Sequence, residues 1–273
     1  MGSSGLVAAM ADVVARGIDV SYAQGIIDWP KVAKAVDFAL IRATATYPHN
    51  GKSGIDTRWA RNIDCAVAAG VPYGIYHYSY ALTVDEVKKE AEHFLSTIKG
   101  LKPEYPVAFD FEDERQVGNA KAGIPALPLS LQMDIIDAWM KAAEAAGYYA
   151  VLYMSASPMS LLLSAHPDRM RAYDRWVAHV NTDKPMVSGG IWQYSWWGKI
   201  DGISGDVDLD YAYQDYPAII KRAGRNGWGA QRPQDGPDYA ALYESVVAER
   251  DAIQADYNGL ISDLQMLMNK YKG

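Results

Sequence analysis

The sequence predicts an irregular (β/α)8 barrel with fewer than eight full helices, followed by a C-terminal amphipathic helix or helical hairpin. Three observations carry this expectation. Eight short apolar runs of strand length alternate with helical patterns along the chain. The later connections are too short for full helices, which makes the barrel irregular. No Gly-x-Gly-x-x-Gly or phosphate loop follows a strand, so a doubly wound open sheet is the weaker alternative.

The strands are read at Gly17–Tyr22, Asp37–Thr44, Val71–Tyr80, Tyr105–Glu112, Tyr148–Met154, Arg175–Val180, Gly190–Ser195 and Asp206–Tyr211. Helical patterns fall at Trp29–Ala35, Thr57–Ala69, Val84–Lys99, Ser130–Ala146 and Pro158–Leu163. Thr83-Val-Asp-Glu86 has the form of a capping box, in which Thr83 caps and Glu86 reaches back. Gly70 and Gly147 stand where a helix ends in a left-handed residue. Residues 1–9 read as an expression-vector remnant, with Met10 as the natural start, and residues 10–223 as the catalytic barrel. Residues 224–237, rich in Gly, Pro, Gln and Asn, read as a linker, and residues 238–273 as a helical segment. In that segment Val246, Ile253, Tyr257, Leu260, Leu264, Leu267 and Tyr271 form a heptad-like stripe interrupted at Arg250. Asn258-Gly259 would break it into a hairpin, because Gly costs ~1 kcal/mol inside a helix. The stripe implies docking back on the barrel or self-association, and a homo-oligomer through this helix is the favoured expectation.

Composition narrows the function. The 273 residues suffice for one large domain or two small ones, and 49% hydrophobic with 22% charged residues is ordinary globular chemistry. A net charge of −7 without a basic, aromatic-interleaved stripe argues against nucleic acid. The same charge opposes capture of anionic polymers by simple electrostatics. With 8 Trp and 19 Tyr against 4 Phe, the aromatics favour rings that have one flat apolar face and one polar edge, which suits stacking on sugars as well as packing. Cys65 is the single cysteine, so no disulfide forms within the chain and no Cys-rich metal site exists. No apolar run approaches the ~20 residues of a membrane span. The N-terminus lacks the basic-then-apolar build of a signal peptide, so synthesis in the cytoplasm is expected.

Chemistry concentrates in Tyr105-Pro-Val-Ala-Phe-Asp-Phe-Glu112. Strand parity puts Asp110 and Glu112 on one face, and Phe109 and Phe111 on the other. Two neighbouring carboxyls push their pKa values apart, the basic equipment of a glycosidase. The plain alternative is a strand end whose acids are solvated or paired with Arg115. Asp19 on the first strand and Asp206, Asp208 and Asp210 on the eighth become neighbours if the barrel closes, facing Asp110 and Glu112 across the mouth. Tyr76, Tyr78 and Tyr80 share one strand face; Trp192, Tyr194 and Trp196 share another. These are stacking walls if the faces look into the mouth and helix packing if they look outward. Arg42, a charge in an apolar strand, either contacts a ligand or pairs a barrel carboxylate.

Other chemistries find no support. Asp206-x-Asp-x-Asp begins like a calcium loop, but Tyr211 stands where Gly is needed and Pro217 where the bidentate Glu belongs. There is no Gly-x-Ser-x-Gly elbow and no His-Glu-x-x-His spacing. His77 points away from Tyr76 and Tyr78 by parity and reads as structural. No metal or cofactor is expected.

Seven collinear motifs now match a known family: Gly17-Ile-Asp-Val-Ser21, Ile27-Asp-Trp29, Phe38-Ala-Leu-Ile-Arg-Ala-Thr44, Gly74-Ile-Tyr-His-Tyr78, Phe109-Asp-Phe-Glu112, Ile191-Trp-Gln-Tyr194 and Asp206-Val-Asp-Leu-Asp210. Across residues 17–216 the chain resembles the family-25 glycoside hydrolases, the N-acetylmuramidases (lysozymes) of phage endolysins, bacterial autolysins and fungi. The resemblance implies cleavage of the β-1,4 bond between N-acetylmuramic acid and N-acetylglucosamine in peptidoglycan glycan strands. It makes Glu112 the general acid/base, Asp110 the second carboxylate, and Asp19 and Asp208 the acids of the first and last strands. Tyr76, Tyr78, Tyr80, Trp192, Tyr194, Asp210 and Arg42 are then the candidates for substrate contact. The family's last motif usually continues Val-Asp-Leu-Asn; Asp210 departs from it and leaves open which of Asp208 and Asp210 lies closer to substrate. Retention of configuration is expected. The nucleophile is either a protein carboxylate ~5–5.5 Å from the acid or, favoured here, the substrate's own N-acetyl carbonyl. The setting implied is an endolysin acting on the wall after holin-type release. A chitinase-type hydrolase and a non-catalytic glycan-binding or assembly protein are the alternatives.

Overall fold

A computed structural model describes residues 12–47, 52–112, 116–117, 120–121 and 123–229. In chain order the strands are β1 (Ala15–Val20), β2 (Phe38–Tyr47), β3 (Lys52–Ile55), β4 (Tyr73–Tyr78), β5 (Val107–Asp110), β6 (Gln116–Val117), β7 (Ala120–Lys121), β8 (Ala150–Ser155), β9 (Asp174–Ala178), β10 (Ile191–Gly198) and β11 (Val207–Ala212). The helices are α1 (Trp29–Val32), α2 (Trp59–Ala68), α3 (Val84–Thr97), α4 (Leu129–Ala145), α5 (Ala156–Ala165), α6 (Pro167–Arg171) and α7 (Tyr216–Arg222). Strand order β1-β11-β10-β9-β8-β5-β4-β2, with β1 also pairing β2, closes an eight-stranded barrel. All eight expected strands are its staves. The hairpin partner β3, which extends β2, and the short pair β6–β7 had no signal strong enough to read.

The eighth stave, β11, runs antiparallel to both β10 and β1. Residues 199–206 are too few for a helical crossover, which needs a dozen or more, so the chain turns straight back. The reversal has a chemical result: Asp208, near the start of β11, lies opposite Asp19, near the end of β1, at the same rim.

Two apolar layers hold the staves in place. Outside the sheet, Ile18, Phe109 and Phe111 pack under helices, with Phe109 stacked on Trp139 of α4 at 4.9 Å. Inside, Phe38, Leu40, Ala108, Val151, Trp176 and Ile191 fill the barrel. Phe38 stacks on Tyr105 at 4.2 Å. Gly17 is obligatory beside them, because a Cβ there would collide with the Phe38 ring. The capping box at α3 forms as read, with Thr83 Oγ1 accepting from the Glu86 amide at 3.2 Å.

The barrel's packed structure also runs past residue 223, where the linker was expected to begin. Asn226 is fully buried. Its Oδ1 accepts from the Tyr149 amide at 2.8 Å, and its Nδ2 donates to the carbonyls of Pro103 and Tyr105 at 3.0 Å each. Glycine-rich composition concealed a side chain that satisfies three buried backbone groups. Residues 1–9, read above as a remnant, the rest of the expected linker and the C-terminal stripe lie outside the described residues. No helix among the described residues is long and apolar enough to cross a membrane.

Candidate active site

A cleft of about 470 Å³ opens at the barrel rim, where the parallel strands end and β11 begins. Asp19, Asp110, Glu112 and Asp208 all line it, as do Arg42, Tyr76, Tyr78 and Tyr80. Strand alternation explains the convergence: the residues flanking each acid along its strand, such as Ile18, Val20, Phe109 and Phe111, face the helices, and the acids therefore face inward.

Burial dominates the electrostatics. Asp19 and Asp110 are 5% and 4% exposed. Desolvation pushes both carboxyls well above the usual range; Asp208 and Asp210 add to this at Asp19, and Glu112 adds to it at Asp110. Asp208 is less enclosed, and burial raises it to about 6. Arg42 opposes the trend at Asp110 by favouring its anion. Asp110 Oδ1 is buried with no hydrogen-bond partner among the described residues, an unused acceptor on a residue that lines the cleft.

Arg42 resolves its two sequence readings by doing both. It lines the cleft, and it pairs a carboxylate, though not one of the acids singled out from sequence. Its Nε donates to Asp56 Oδ2 at 2.8 Å, and its Nη2 makes an ion-pair contact with the same oxygen at 2.8 Å. Its guanidinium lies 4.9 Å from the centre of the Tyr22 ring. Asp56 stands just beyond β3, outside any motif, so sequence reasoning missed it.

The aromatic walls divide differently from expectation. Tyr78 and Tyr80 form one wall, with ring centres 5.0 Å apart. Tyr76 is deeper, only 6% exposed, and meets Trp176 edge-on at 5.8 Å. Trp192 and Tyr194 do not line the cleft, which corrects the stacking role assigned to them. The Trp192 indole donates to the His179 carbonyl at 2.8 Å, and Tyr194 lies flat on Tyr211 at 4.0 Å. Register shifts between Gln193 and Ser195 and again before Gly198 break the strand parity of β10. They turn Trp196 into the cleft instead.

Asp210 is corrected too. It is fully buried, accepts from Trp176 Nε1 at 2.7 Å, and does not line the cleft. Asp208 is thus the last-strand acid that faces the cleft. Asp206 sits at the surface and pairs with Lys199 at 2.8 Å.

Sequence reasoning also missed the connector of the site, Gln193. Its Nε2 donates to Asp19 Oδ2 at 2.7 Å, while its Oε1 accepts from Tyr153 Oη at 2.9 Å and from Trp196 Nε1 at 2.8 Å. A glutamine alternating with aromatics on an apolar strand was the available signal. Behind β4, His77 is held by Thr44 Oγ1 at 2.8 Å and by Glu90 at 3.1 Å, buried and away from the cleft. Among the described residues no group of three or more His, Cys, Asp or Glu side chains is arranged to hold a metal ion.

Comparison with known proteins gives this geometry a lineage. Residues 18–203 match the domain of the glycosyl hydrolases family 25. The chain is 30% identical over 210 residues to YegX, an uncharacterised protein of Escherichia coli O157:H7, covering 73% of this chain and 70% of that one. It is 30% identical over 202 residues to Lysozyme M1 of Streptomyces globisporus, covering 71% and 66%. The bacterial lysozyme of Streptomyces coelicolor superposes with a TM-score of 0.63 at 26% identity, over 78% of this chain and 97% of that one. Barrel, cleft acids and domain match agree: the chain is a glycoside hydrolase and belongs to glycosyl hydrolase family 25.

Proposed function

We propose that this protein hydrolyses the β-1,4 bond between N-acetylmuramic acid and N-acetylglucosamine in bacterial peptidoglycan. The observation that carries the reading is a pair of carboxyls on one strand end, Asp110 and Glu112, inside a cleft walled by Tyr78, Tyr80 and Trp196. The likeness to lysozymes supplies the substrate class.

In the reaction we assign, Glu112 donates its proton to the leaving glycosidic oxygen as the bond to C1 breaks. The substrate's N-acetyl carbonyl oxygen closes on C1 from the opposite face, giving a cyclic cation. Asp110, two residues from Glu112 on the same side of the strand, is poorly sited to reach that face. Its unpartnered Oδ1 suits a second task, accepting the acetamido N–H and steadying the positive charge. Glu112, now ionised, takes a proton from water as it adds to C1. The product keeps the β configuration. Arg42, fixed by Asp56, partly offsets the burial and the Glu112 charge that oppose the ionised form of Asp110 this role needs.

Lysis from within, as an endolysin, is the setting we attach to this activity; the resemblance alone supports it. Turbidity of purified peptidoglycan tests the enzymology. Wild type clears the suspension and Glu112→Gln does not; equal clearing would remove Glu112 from the acid role. Proton NMR of fresh product gives the anomer, and an initial α product would refute retention.

A further inference from the structure

Gln193 bonds to three neighbours, and one of them decides which way its amide points. Trp196 Nε1 donates to Oε1 at 2.8 Å, Tyr153 Oη donates to the same oxygen at 2.9 Å, and Nε2 donates to Asp19 Oδ2 at 2.7 Å. The chain of bonds runs from a ring on the cleft wall, 42% exposed, through an amide that is 2% exposed to a buried carboxyl. Residues three apart on a regular strand stand on opposite faces. The register shifts of β10 bring Gln193 and Trp196 to one side, where both line the cleft. The proton transfer assigned to Glu112 leaves this path unused.

The oxygen and NH2 ends of a glutamine amide are nearly alike in size, so hydrogen bonding and not packing sets their order. A tyrosine hydroxyl accepts as well as donates, and Tyr153 would fit either order. An indole N–H only donates. Trp196 therefore requires the amide oxygen in front of it, and this places the NH2 group against Asp19. Reversed, the amide would set a donor against the indole N–H and its oxygen against Asp19 Oδ2, losing two hydrogen bonds in an enclosed site.

We propose that Gln193 is a positioning residue whose amide, oriented by the indole N–H of Trp196, holds the Asp19 carboxyl in place in the cleft. The wall that stacks on the sugar then also sets an acid beside it. Its effect on turnover rests on the muramidase reading; the hydrogen-bonded order of the amide does not. Trp196 thereby has two separable tasks. Its ring face takes up the sugar, which appears in KM, and its N–H fixes the amide, which appears in kcat. Phenylalanine at this position keeps an aromatic face and lacks the N–H, so it divides the two.

Steady-state kinetics on soluble peptidoglycan fragments test the proposal. Trp196→Phe should lower kcat about threefold to tenfold, with KM within about twofold of wild type. Gln193→Ala should lower kcat on the order of tenfold to a hundredfold. In that background Trp196→Phe should cost less than about twofold more, because the N–H has lost the group it acts on. Wild-type kcat in Trp196→Phe, or full multiplication of the two losses in the double variant, would overturn the proposal. Gln193→Met, close in volume and without an amide, replaces the alanine variant if that one does not fold. Heteronuclear NMR of the free enzyme reads the indole proton of Trp196 without any substrate. Its resonance should move upfield and exchange faster with solvent in the Gln193 variant; an unchanged resonance would overturn the proposal. If wild type cleaves no peptidoglycan, the functional reading fails while the NMR result stands.

Discussion

Replacing Asp56 by Asn removes one charge, almost no volume, and the partner of a cation at the rim of the cleft. Asp56 has no exposed side-chain surface and Arg42 keeps only 14%, so the pair is close to fully enclosed. Three hydrogen bonds and a second ion-pair contact converge on the carboxylate. Oδ2 accepts from Arg42 Nε at 2.8 Å and from the Tyr22 amide at 3.0 Å and lies 2.8 Å from Arg42 Nη2; Oδ1 accepts from the Arg58 amide at 2.8 Å. An asparagine that keeps its oxygen toward Arg42 turns its NH2 group toward the Arg58 N–H, so one bond becomes a donor–donor contact. Breaking one side of a buried ion pair costs about 3–5 kcal/mol. With three of the four acceptor contacts retained, we expect the lower end, about 3 kcal/mol. For a barrel of this size that corresponds to a fall in Tm of about 6–12 °C. Urea denaturation followed by circular dichroism measures the free energy directly. A change under about 0.5 kcal/mol, the range of ordinary surface substitutions, would refute the claim that Asp56 is the fixed counter-charge of Arg42.

Further expectations follow from the same geometry. Asp208 has a folded-state pKa raised to about 6 against about 3.9 unfolded, so above pH 4 the unfolded chain loses the proton first. Its contribution makes stability fall as pH rises from about 4 to about 6 and level off beyond, by roughly 2 kcal/mol after allowance for its partial exposure. Asp208→Asn should remove that fall, and denaturation midpoints with an unchanged pH slope would contradict it. Trp196→Ala should raise KM for glycan by about threefold to tenfold, the worth of one aromatic contact, while Trp192→Ala should leave KM unchanged and lower Tm. Equal KM effects would mean that the bulge of β10 is not what selects the stacking face. Asn226→Ala should destabilise the barrel by about 3 kcal/mol or more, because three buried backbone groups lose their partner; a neutral result in thermal melts would restore the boundary at residue 223.

What the sequence made legible was periodic. Inward acids alternating with outward Ile18, Phe109 and Phe111 announced both the staves and the cleft side of Asp19 and Asp110, because a strand has only two faces. Strand direction leaves no such trace. The reversal of β11 was written only in the shortness of residues 199–206, and it is what sets Asp208 rather than Asp210 at the rim. Bulges defeat parity in the same way: a register shift in β10 after Gln193 put Trp196 on the cleft side, the face opposite Trp192 and Tyr194. Gln193 sat inside a quoted motif but on the face opposite the aromatics that drew notice. Asp56 and Asn226 could not be read, because their partners, Arg42 and the backbone around Pro103, become neighbours only once the barrel closes.

Glu112 as the proton donor for cleavage after N-acetylmuramic acid is the proposal on which the others depend. Digestion of a defined peptidoglycan oligosaccharide by wild type and Glu112→Gln, with borohydride reduction and mass spectrometry of the new ends, tests it most directly. Wild type should yield reduced muramic acid as the only new end, and Glu112→Gln should yield none. Reduced glucosamine as the new end, or cleavage by Glu112→Gln at the wild-type rate, would contradict it.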